Sequence, residues 1–271
     1  MDTRRRAVET GSSKVLYEVE DRVAIVTLND PENRNPLGGD VRPVLRRVVE
    51  EIAGDPAIRC LLLTGAGRAF CAGGNAKAMA SDEQPPLEER IRRIRFESEV
   101  VALIHEMPKP TLAALPGAAA GAGFALALAC DLRIAAESAF MLTAFKRLGL
   151  PGDFGGSWLL TRLVGPARAR ELYFTSRRVD SAECARLGLV DRVVPDAQLP
   201  SEAMKLAREL ADGPPVAYRM MKENLNRALQ ADLRTCLREE ADRQCQAAET
   251  EDFKEATRAF QEGRKPEFRG R

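Results

Sequence analysis

The sequence predicts an α/β protein with parallel strand pairing. Short runs rich in Val and Ile recur through the first two thirds of the chain, separated by segments with helical spacing, which is the pattern of strands joined by crossover helices. Glycine-rich segments follow several of the strands. After about Pro200 the strand signal stops, and four amphipathic segments rich in Arg, Glu and Ala follow.

Lys14–Glu20 and Arg22–Asn29 are expected as two strands joined by a tight turn at Asp21. Residues Asp30 to Gly39 form a loop with two Pro and two Gly. Val41, Val44, Leu45, Val48, Val49 and Ile52 keep one apolar helical face that ends near Gly54. Ile58–Leu63 is a continuous apolar run suited to a buried strand. Glu88–Glu106 is expected as a helix with Ile91, Ile94, Val101 and Ile104 on one side, and Thr111–Leu115, Leu132–Ala136 and Val190–Val194 as further strands. Ser201–Leu210, Pro215–Leu229, Ala231–Ala247 and Glu251–Glu262 are the expected terminal helices. Thr111 to Cys130 is twenty residues without a charge, long enough to cross a bilayer. Its Pro116, Gly117, Gly121 and Gly123 point instead to a buried strand, a glycine-rich turn and a tightly packed helix.

Composition narrows the chemistry. The 271 residues carry 41 Lys and Arg against 40 Asp and Glu, which removes the electrostatic basis of a nucleic-acid binder. The single histidine, His105, excludes a zinc site built on two imidazoles, and no metal is expected. It is expected to face the dipole at a helix C-terminus. Cys60, Cys71, Cys130, Cys184, Cys236 and Cys245 are scattered, without a C-x-x-C pair or a preceding signal peptide, as expected of small buried side chains in a cytoplasmic protein. Arg4, Arg5 and Arg6 are followed by no apolar segment and are read as a frayed terminus.

Three glycine-rich segments are candidates for a site. Gly65-Ala66-Gly67 through Lys77 follows a strand but fits neither the G-x-G-x-x-G dinucleotide pattern nor the phosphate-binding G-x-x-x-x-G-K pattern. Its glycines serve either as turn punctuation or to let backbone N–H groups approach a ligand. Pro116 to Ala125 leads into a helix, whose first N–H groups lack intrahelical partners and favour negative charge. Close packing of helix on strand explains the same spacing equally well. Leu148 to Trp158 places one carboxylate, Asp153, in an apolar turn framed by glycine, where it serves either as a proton carrier or as the N-cap of the next helix.

In this order and spacing the segments resemble the crotonase superfamily of enoyl-CoA hydratases and isomerases. Asn33-Arg34-Asn35-Pro36-Leu37, Phe70-Cys71-Ala72-Gly73-Gly74-Asn75-Ala76-Lys77, Lys109-Pro110-Thr111-Leu112-Ala113-Ala114, Gly121-Ala122-Gly123 and Leu187-Gly188-Leu189-Val190-Asp191 are similar to its motifs. The resemblance implies a crotonase-like spiral of ββα units over residues 1–199, holding the CoA-thioester site. It implies a helical region over 200–271 for oligomerisation as a homotrimer or a dimer of trimers. It implies an acyl-CoA thioester as substrate, with coenzyme A entering as part of it and no separate cofactor, and neither nucleic acid nor membrane as a partner. The thioester oxygen would lie in an oxyanion hole made by the backbone N–H groups of Gly74 and Ala122. Arg34, Ala72, Asn75 and Lys77 fall at positions associated with CoA, and Lys265 in the basic tail is a weaker candidate.

The same resemblance exposes a departure. Hydratases of the superfamily carry two glutamates, and the matching positions here are Ala125 and Phe145. Neither transfers a proton, so addition of water by a carboxylate pair is not expected. Glu137 lies too early to replace either. Asp153 matches an aspartate that, in isomerases of the superfamily, moves a proton along the acyl chain and, in an aryl-CoA dehalogenase, acts as nucleophile. The sequence therefore favours a thioester isomerase using Asp153, with an enoyl-CoA hydratase and a CoA-thioester-binding protein of little activity as alternatives.

Overall fold

The computed structural model describes residues 5–75 and 85–271. Among them the chain forms two sheets. The larger contains β1 (Arg6–Val8), β2 (Val15–Glu20), β3 (Val23–Leu28), β4 (Cys60–Gly65), then β6 (Thr111–Leu115), β8 (Leu132–Ala136) and β11 (Arg192–Val194), neighbours in that order. The smaller contains β5 (Ala69–Cys71), β7 (Ala118–Ala120), β9 (Phe140–Leu142) and β10 (Val179–Asp180), in the order β10-β9-β7-β5. The pairs β4–β5, β6–β7 and β8–β9 each send one strand to the large sheet and the next to the small one. Pairing between these successive units is parallel in both sheets, which is the geometry of a spiral.

The order of the large sheet follows from burial. In β6 every residue from Thr111 to Leu115 is buried, and in β4 Cys60 through Leu63 are, so these strands sit in the middle with both faces covered. The helix α1 (Val41–Gly54) covers the sheet with Val41, Leu45, Val48, Val49 and Ile52, an apolar stripe at helical spacing. α2 (Leu87–Glu106) packs beside it. All eight residues of α3 (Ala122–Ala129) are buried, so this helix runs through the core rather than over it. α4 (Gly156–Thr175), α5 (Ser181–Arg186) and α6 (Leu199–Ala211) follow, the last laying Ala203, Ala207 and Ala211 on the sheet. α7 (Pro215–Ala228), α8 (Leu233–Ala248) and α9 (Glu251–Glu262) complete the chain. Their outward faces expose Leu225, Leu233, Leu237 and Phe260.

Three expectations need correction. Arg6 to Val8 is an edge strand, paired antiparallel with β2 through Arg6↔Val19, and Arg5 donates to Glu18 at 2.5 Å, so Arg5 and Arg6 are tied down, while Arg4 lies outside the described residues. The segment after β6 contains a further strand, β7, before its helix. The whole small sheet was unexpected: its strands are two or three residues long, too short for an alternating pattern, and one is made entirely of Ala. Thr111 to Cys130 forms β6, β7 and α3, and among the described residues no helix is long and apolar enough to cross a membrane.

The terminal helices are joined to the body by a buried lysine. Lys222 on α7 donates to Asp131 Oδ2 at 2.8 Å and to the carbonyls of Ile104 at 3.1 Å and Lys109 at 3.4 Å. Asp131 also accepts from the backbone N–H and hydroxyl of Thr111 at the start of β6. One cation thus joins α7 to the end of α2 and the edges of two central strands. Lys222→Met keeps the aliphatic volume and removes these bonds. Because Asp131 is part exposed and keeps its Thr111 donors, the expected loss is about 2 kcal/mol, read as a lower urea midpoint at unchanged slope.

Candidate active site

The site begins where two loops are fastened together. Arg34 and Asn35 both take left-handed backbone conformations, with φ of 63° and 56°. Asn35 is buried and offsets that strain with side-chain bonds: Nδ2 donates to the carbonyls of Ala66 at 2.9 Å and Ala69 at 2.8 Å, and Oδ1 accepts from Asp30 N–H at 2.8 Å. Backbone bonds then run across from Ala72 N to Arg34 O at 2.9 Å and from Leu37 N to Gly73 O at 2.7 Å, and Leu37 forms a parallel bridge with Gly74. Arg34, Ala72 and Gly74 are therefore brought together, with Arg34 exposed and Asn75 against Gly38. Lys77 lies outside the described residues.

The second wall is the start of α3. Gly121 precedes it with φ of 54°, and no side chain caps the helix. A Cβ on Gly73, whose φ is 89°, would stand 2.7 Å from Ala120 O and 3.3 Å from Ala122 N, so the two glycine-rich segments meet backbone to backbone. One turn further on, Ala125 is buried completely, and Phe145 is buried beside Gly121. The two positions where a glutamate pair would stand thus hold a methyl group and a phenyl ring.

Asp153 lies in the turn before α4. It does not cap that helix: the N-cap is Gly155, without a side-chain bond, and Gly156 N donates to the backbone carbonyl of Asp153 at 3.1 Å. Its Oδ1 is buried with no hydrogen-bond partner among the described residues. Burial raises the pKa of this carboxyl above its ordinary range, while the guanidinium of Arg42 draws it back. Arg42 is held by Glu97, Nη1 to Oε2 at 2.6 Å, between side chains that are both mostly buried, and its guanidinium lies 5.6 Å from the centre of the Phe154 ring. Its own Nε is also buried without a partner.

Sequence reasoning missed Tyr173. It lies near the end of α4, which is not one straight rod: Gly165 has φ of 77° and Pro166 follows, breaking the helix. A straight helix would separate residues 156 and 173 by about 25 Å at 1.5 Å per residue. Instead, a Cβ on Gly156 would meet Tyr173 Oη at 2.8 Å and Ala125 Cβ at 3.3 Å. The Tyr173 ring stacks on Phe145, 6.0 Å between centres and 16° from parallel. Its hydroxyl is buried without a partner, and burial together with the Asp153 charge pushes its pKa up to about 12. The Gly-Pro dipeptide was the available signal for the break. Nothing in the spacing singled out the tyrosine.

The remaining candidates lie elsewhere. His105 is in the last turn of α2, as expected, but packs edge-on against Trp158 at 5.3 Å. Burial and the Lys222 charge lower its pKa. Glu137 is exposed at the β8–β9 turn, and Lys265 is exposed after α9. Cys60, Cys71, Cys130 and Cys184 are buried free thiols, and burial raises the pKa of each. No cluster of three or more His, Cys, Asp or Glu suited to a metal occurs among the described residues.

An α/β spiral whose glycine loops and helix start converge on an apolar pocket with one carboxylate defines the class. Residues 18–271 match the family model for enoyl-CoA hydratase/isomerase, and the chain belongs to that family, in the crotonase superfamily. It is 38% identical to the 1,2-epoxyphenylacetyl-CoA isomerase of Escherichia coli K12 over 258 residues, spanning 95% of this chain and 98% of that one. It is 36% identical to the short-chain-enoyl-CoA hydratase of Clostridium acetobutylicum over 256 residues, spanning 94% and 97%. Among solved structures, an enoyl-CoA hydratase from a Polaromonas species superposes with a TM-score of 0.90 at 34% identity, covering 94% of this chain and 99% of that one. The protein is an enzyme of the hydratase/isomerase type, and its relatives carry both names.

The buried carboxylate predicts a pH signature of its own. Because the folded-state pKa of Asp153 is raised, the unfolded chain releases this proton at a lower pH than the folded one. Stability is therefore lost as pH rises between the two values. Asp153→Asn is expected to melt higher than the parent at pH 7, with the gap closing as pH falls toward 3.8, the ordinary carboxyl value. Thermal midpoints measured across that range check it, and a gap that widens toward acid contradicts it.

Proposed function

We propose that this enzyme isomerises an acyl-CoA thioester, with Asp153 carrying the proton. The observation that carries the reading is the Asp153 carboxylate, with one oxygen buried and unpartnered, in a pocket where Ala125 and Phe145 leave no glutamate pair. In this mechanism the thioester oxygen accepts hydrogen bonds from the N–H groups of Gly74 and Ala122. Asp153 removes a proton from a carbon made acidic by the thioester, and the electron pair moves into the enolate held by those donors. The protonated Asp153 then returns the proton to a different carbon, shifting unsaturation or reorganising a ring. The uncapped start of α3 and the contact of Gly73 with Ala122 N support an oxyanion hole here, where each donor is worth about 3–4 kcal/mol in the transition state. A carboxylate whose pKa is raised by burial is a stronger base for the abstraction step than an exposed aspartate.

On this reading Arg34, Ala72, Asn75 and Lys77 line the path of the CoA moiety, which arrives with the substrate, and no separate cofactor takes part. The exposed apolar side chains of α7, α8 and α9 support assembly as a homotrimer or a dimer of trimers, in the cytoplasm. The hydratase names among the relatives supply the second reading, water addition to a 2-enoyl-CoA, and a site without a carboxylate pair weighs against it.

A panel of enoyl-, dienoyl- and aryl-CoA thioesters, presented to the parent and to Asp153→Asn, separates the readings. Isomer products are expected from the parent, with kcat reduced about 10²–10⁴-fold in the variant. The parent's kcat should also rise with pH through a limb lying above the ordinary carboxyl range, absent from the variant's residual activity. Hydration indifferent to the substitution would overturn the isomerase, and CoA binding without turnover would leave a binding protein.

A further inference from the structure

The mechanism uses one of the polar groups left unpartnered around this turn. Another is the hydroxyl of Tyr173. It lies beside Gly156, which packs on Ala125, with its ring on Phe145, so it stands close to the positions that a glutamate pair would occupy. A Cβ on Gly152 would meet Tyr173 Cε1 at 3.0 Å and Oη at 3.4 Å, so the turn that carries Asp153 wraps around the edge of the same ring. The backbone beneath it is fixed: Thr143 Oγ1 donates to Leu172 O at 3.0 Å and lies 3.1 Å from Ser176 Oγ. Tyr173 is thus held where it is by the break in α4, by ring stacking and by buried hydroxyls. Its own hydroxyl bonds to nothing among the described residues.

A buried donor without an acceptor is costly to a folded protein and is kept where a ligand completes it. The phenol remains neutral well above pH 7, because burial and the Asp153 charge hold its proton, so it offers a donor and not a base. The residues packed beside it, Phe145 and Gly156, carry no polar side chain, and the nearby Asp153 carboxylate does not bond to it. An acyl chain of carbon and hydrogen alone would leave the hydroxyl unpaired in the complex. An acyl group bearing an oxygen would pair it.

We infer that Tyr173 is a specificity-determining residue whose hydroxyl donates to an oxygen on the acyl group, beyond the thioester, so that the substrates are oxygenated acyl-CoA thioesters such as epoxides, alcohols or ketones. The inference rests on the Asp153 site being the acyl pocket. It adds to that reading the chemical class of the acyl group. Discrimination follows from the unpaired donor, since a site built to hydrogen-bond a substrate oxygen rejects the analogue lacking it far more strongly than it rejects a change in apolar bulk.

The test uses matched thioesters, a hydroxyenoyl-CoA and a ketoacyl-CoA, each beside its deoxy counterpart, with the parent, Tyr173→Phe, Asp153→Asn and the double variant. For the parent, kcat/KM is expected to favour the oxygenated member of at least one pair by about 100-fold. In Tyr173→Phe that ratio should fall to within about threefold of unity. Binding to Asp153→Asn, measured by calorimetry, should show the same preference, and the double variant should lose it. Because this binding comparison does not depend on proton transfer by Asp153, it stands or falls separately from the isomerase reading. A preference equal in parent and Tyr173→Phe, or absent from both pairs, would overturn the inference and leave the hydroxyl bonded to an ordered water only. Tyr173→Phe removes no hydrogen bond among the described residues and relieves an unpaired buried donor, so a melting temperature at or above the parent's is expected and loss of folding does not confuse the result.

Discussion

The break at Gly165 and Pro166 is the constraint on which the site depends. Pro166 has no N–H to donate, and Gly165 adopts a φ of 77° that a side chain would resist. The second half of α4 therefore folds back on the first, and the turn bearing Asp153, the start of α4 and Tyr173 near its end converge on Ala125. Without the break, Asp153 would face the open end of a long helix and Tyr173 would lie far from any other group in the pocket. Two residues with no chemistry of their own thereby decide which chemical groups meet.

A second constraint acts on the opposite wall. A Cβ on Gly123 would lie 2.5 Å from Cys71 O and 2.6 Å from Cys71 Cβ, so α3 packs on β5 at a distance only glycine allows. Ala122 N lies beside Gly73, and the N-cap residue, Gly121, has no side chain with which to cap the helix. Free N–H groups at a buried helix start normally cost stability. Here they are kept, together with the unpartnered oxygen of Asp153, the hydroxyl of Tyr173 and the Nε of Arg42. All but the Arg42 nitrogen are groups that a thioester and its acyl chain would satisfy. Elsewhere buried cations are paired at Lys109, which donates to Ile52 O and Asp55 O at the end of α1, and at Arg133, which reaches the carbonyls of Leu189 and Cys130, while Arg90 Nε is a further buried atom without a partner among the described residues.

What could be read from the sequence followed the length of each signal. Thr111–Leu115, Leu132–Ala136 and Glu251–Glu262 form elements with the expected bounds, because each is a sustained apolar or amphipathic run between clear stops. The small sheet was not legible, since Ala69–Cys71 and Ala118–Ala120 are defined by their neighbours and not by their own side chains. The site divides in the same way. Asp153 was legible as a carboxylate among glycines, and Ala125 and Phe145 as missing acids. Tyr173 was hidden because its importance comes from a helix that turns back, a relation over seventeen positions that no local pattern carries. Arg42 and Glu97 were hidden likewise, each being an ordinary charged residue of an amphipathic helix until α1 and α2 are packed together.

The loss of the glutamate pair and the presence of Tyr173 are connected by space. The hydroxyl of Tyr173 lies against Gly156, which packs on Ala125, and its ring lies against Phe145. A glutamate at 145 would remove the ring on which the phenol stacks. The tyrosine and the glutamate pair therefore compete for one region. The first arrangement supplies a neutral donor beside one carboxylate, and the second supplies two carboxylates able to hold and split a water. A pocket of the first kind cannot position water between two acids, but it can hold an oxygen already present on the acyl group while Asp153 moves a proton. The chemistry open to this chain was narrowed by the same substitutions that made room for the phenol.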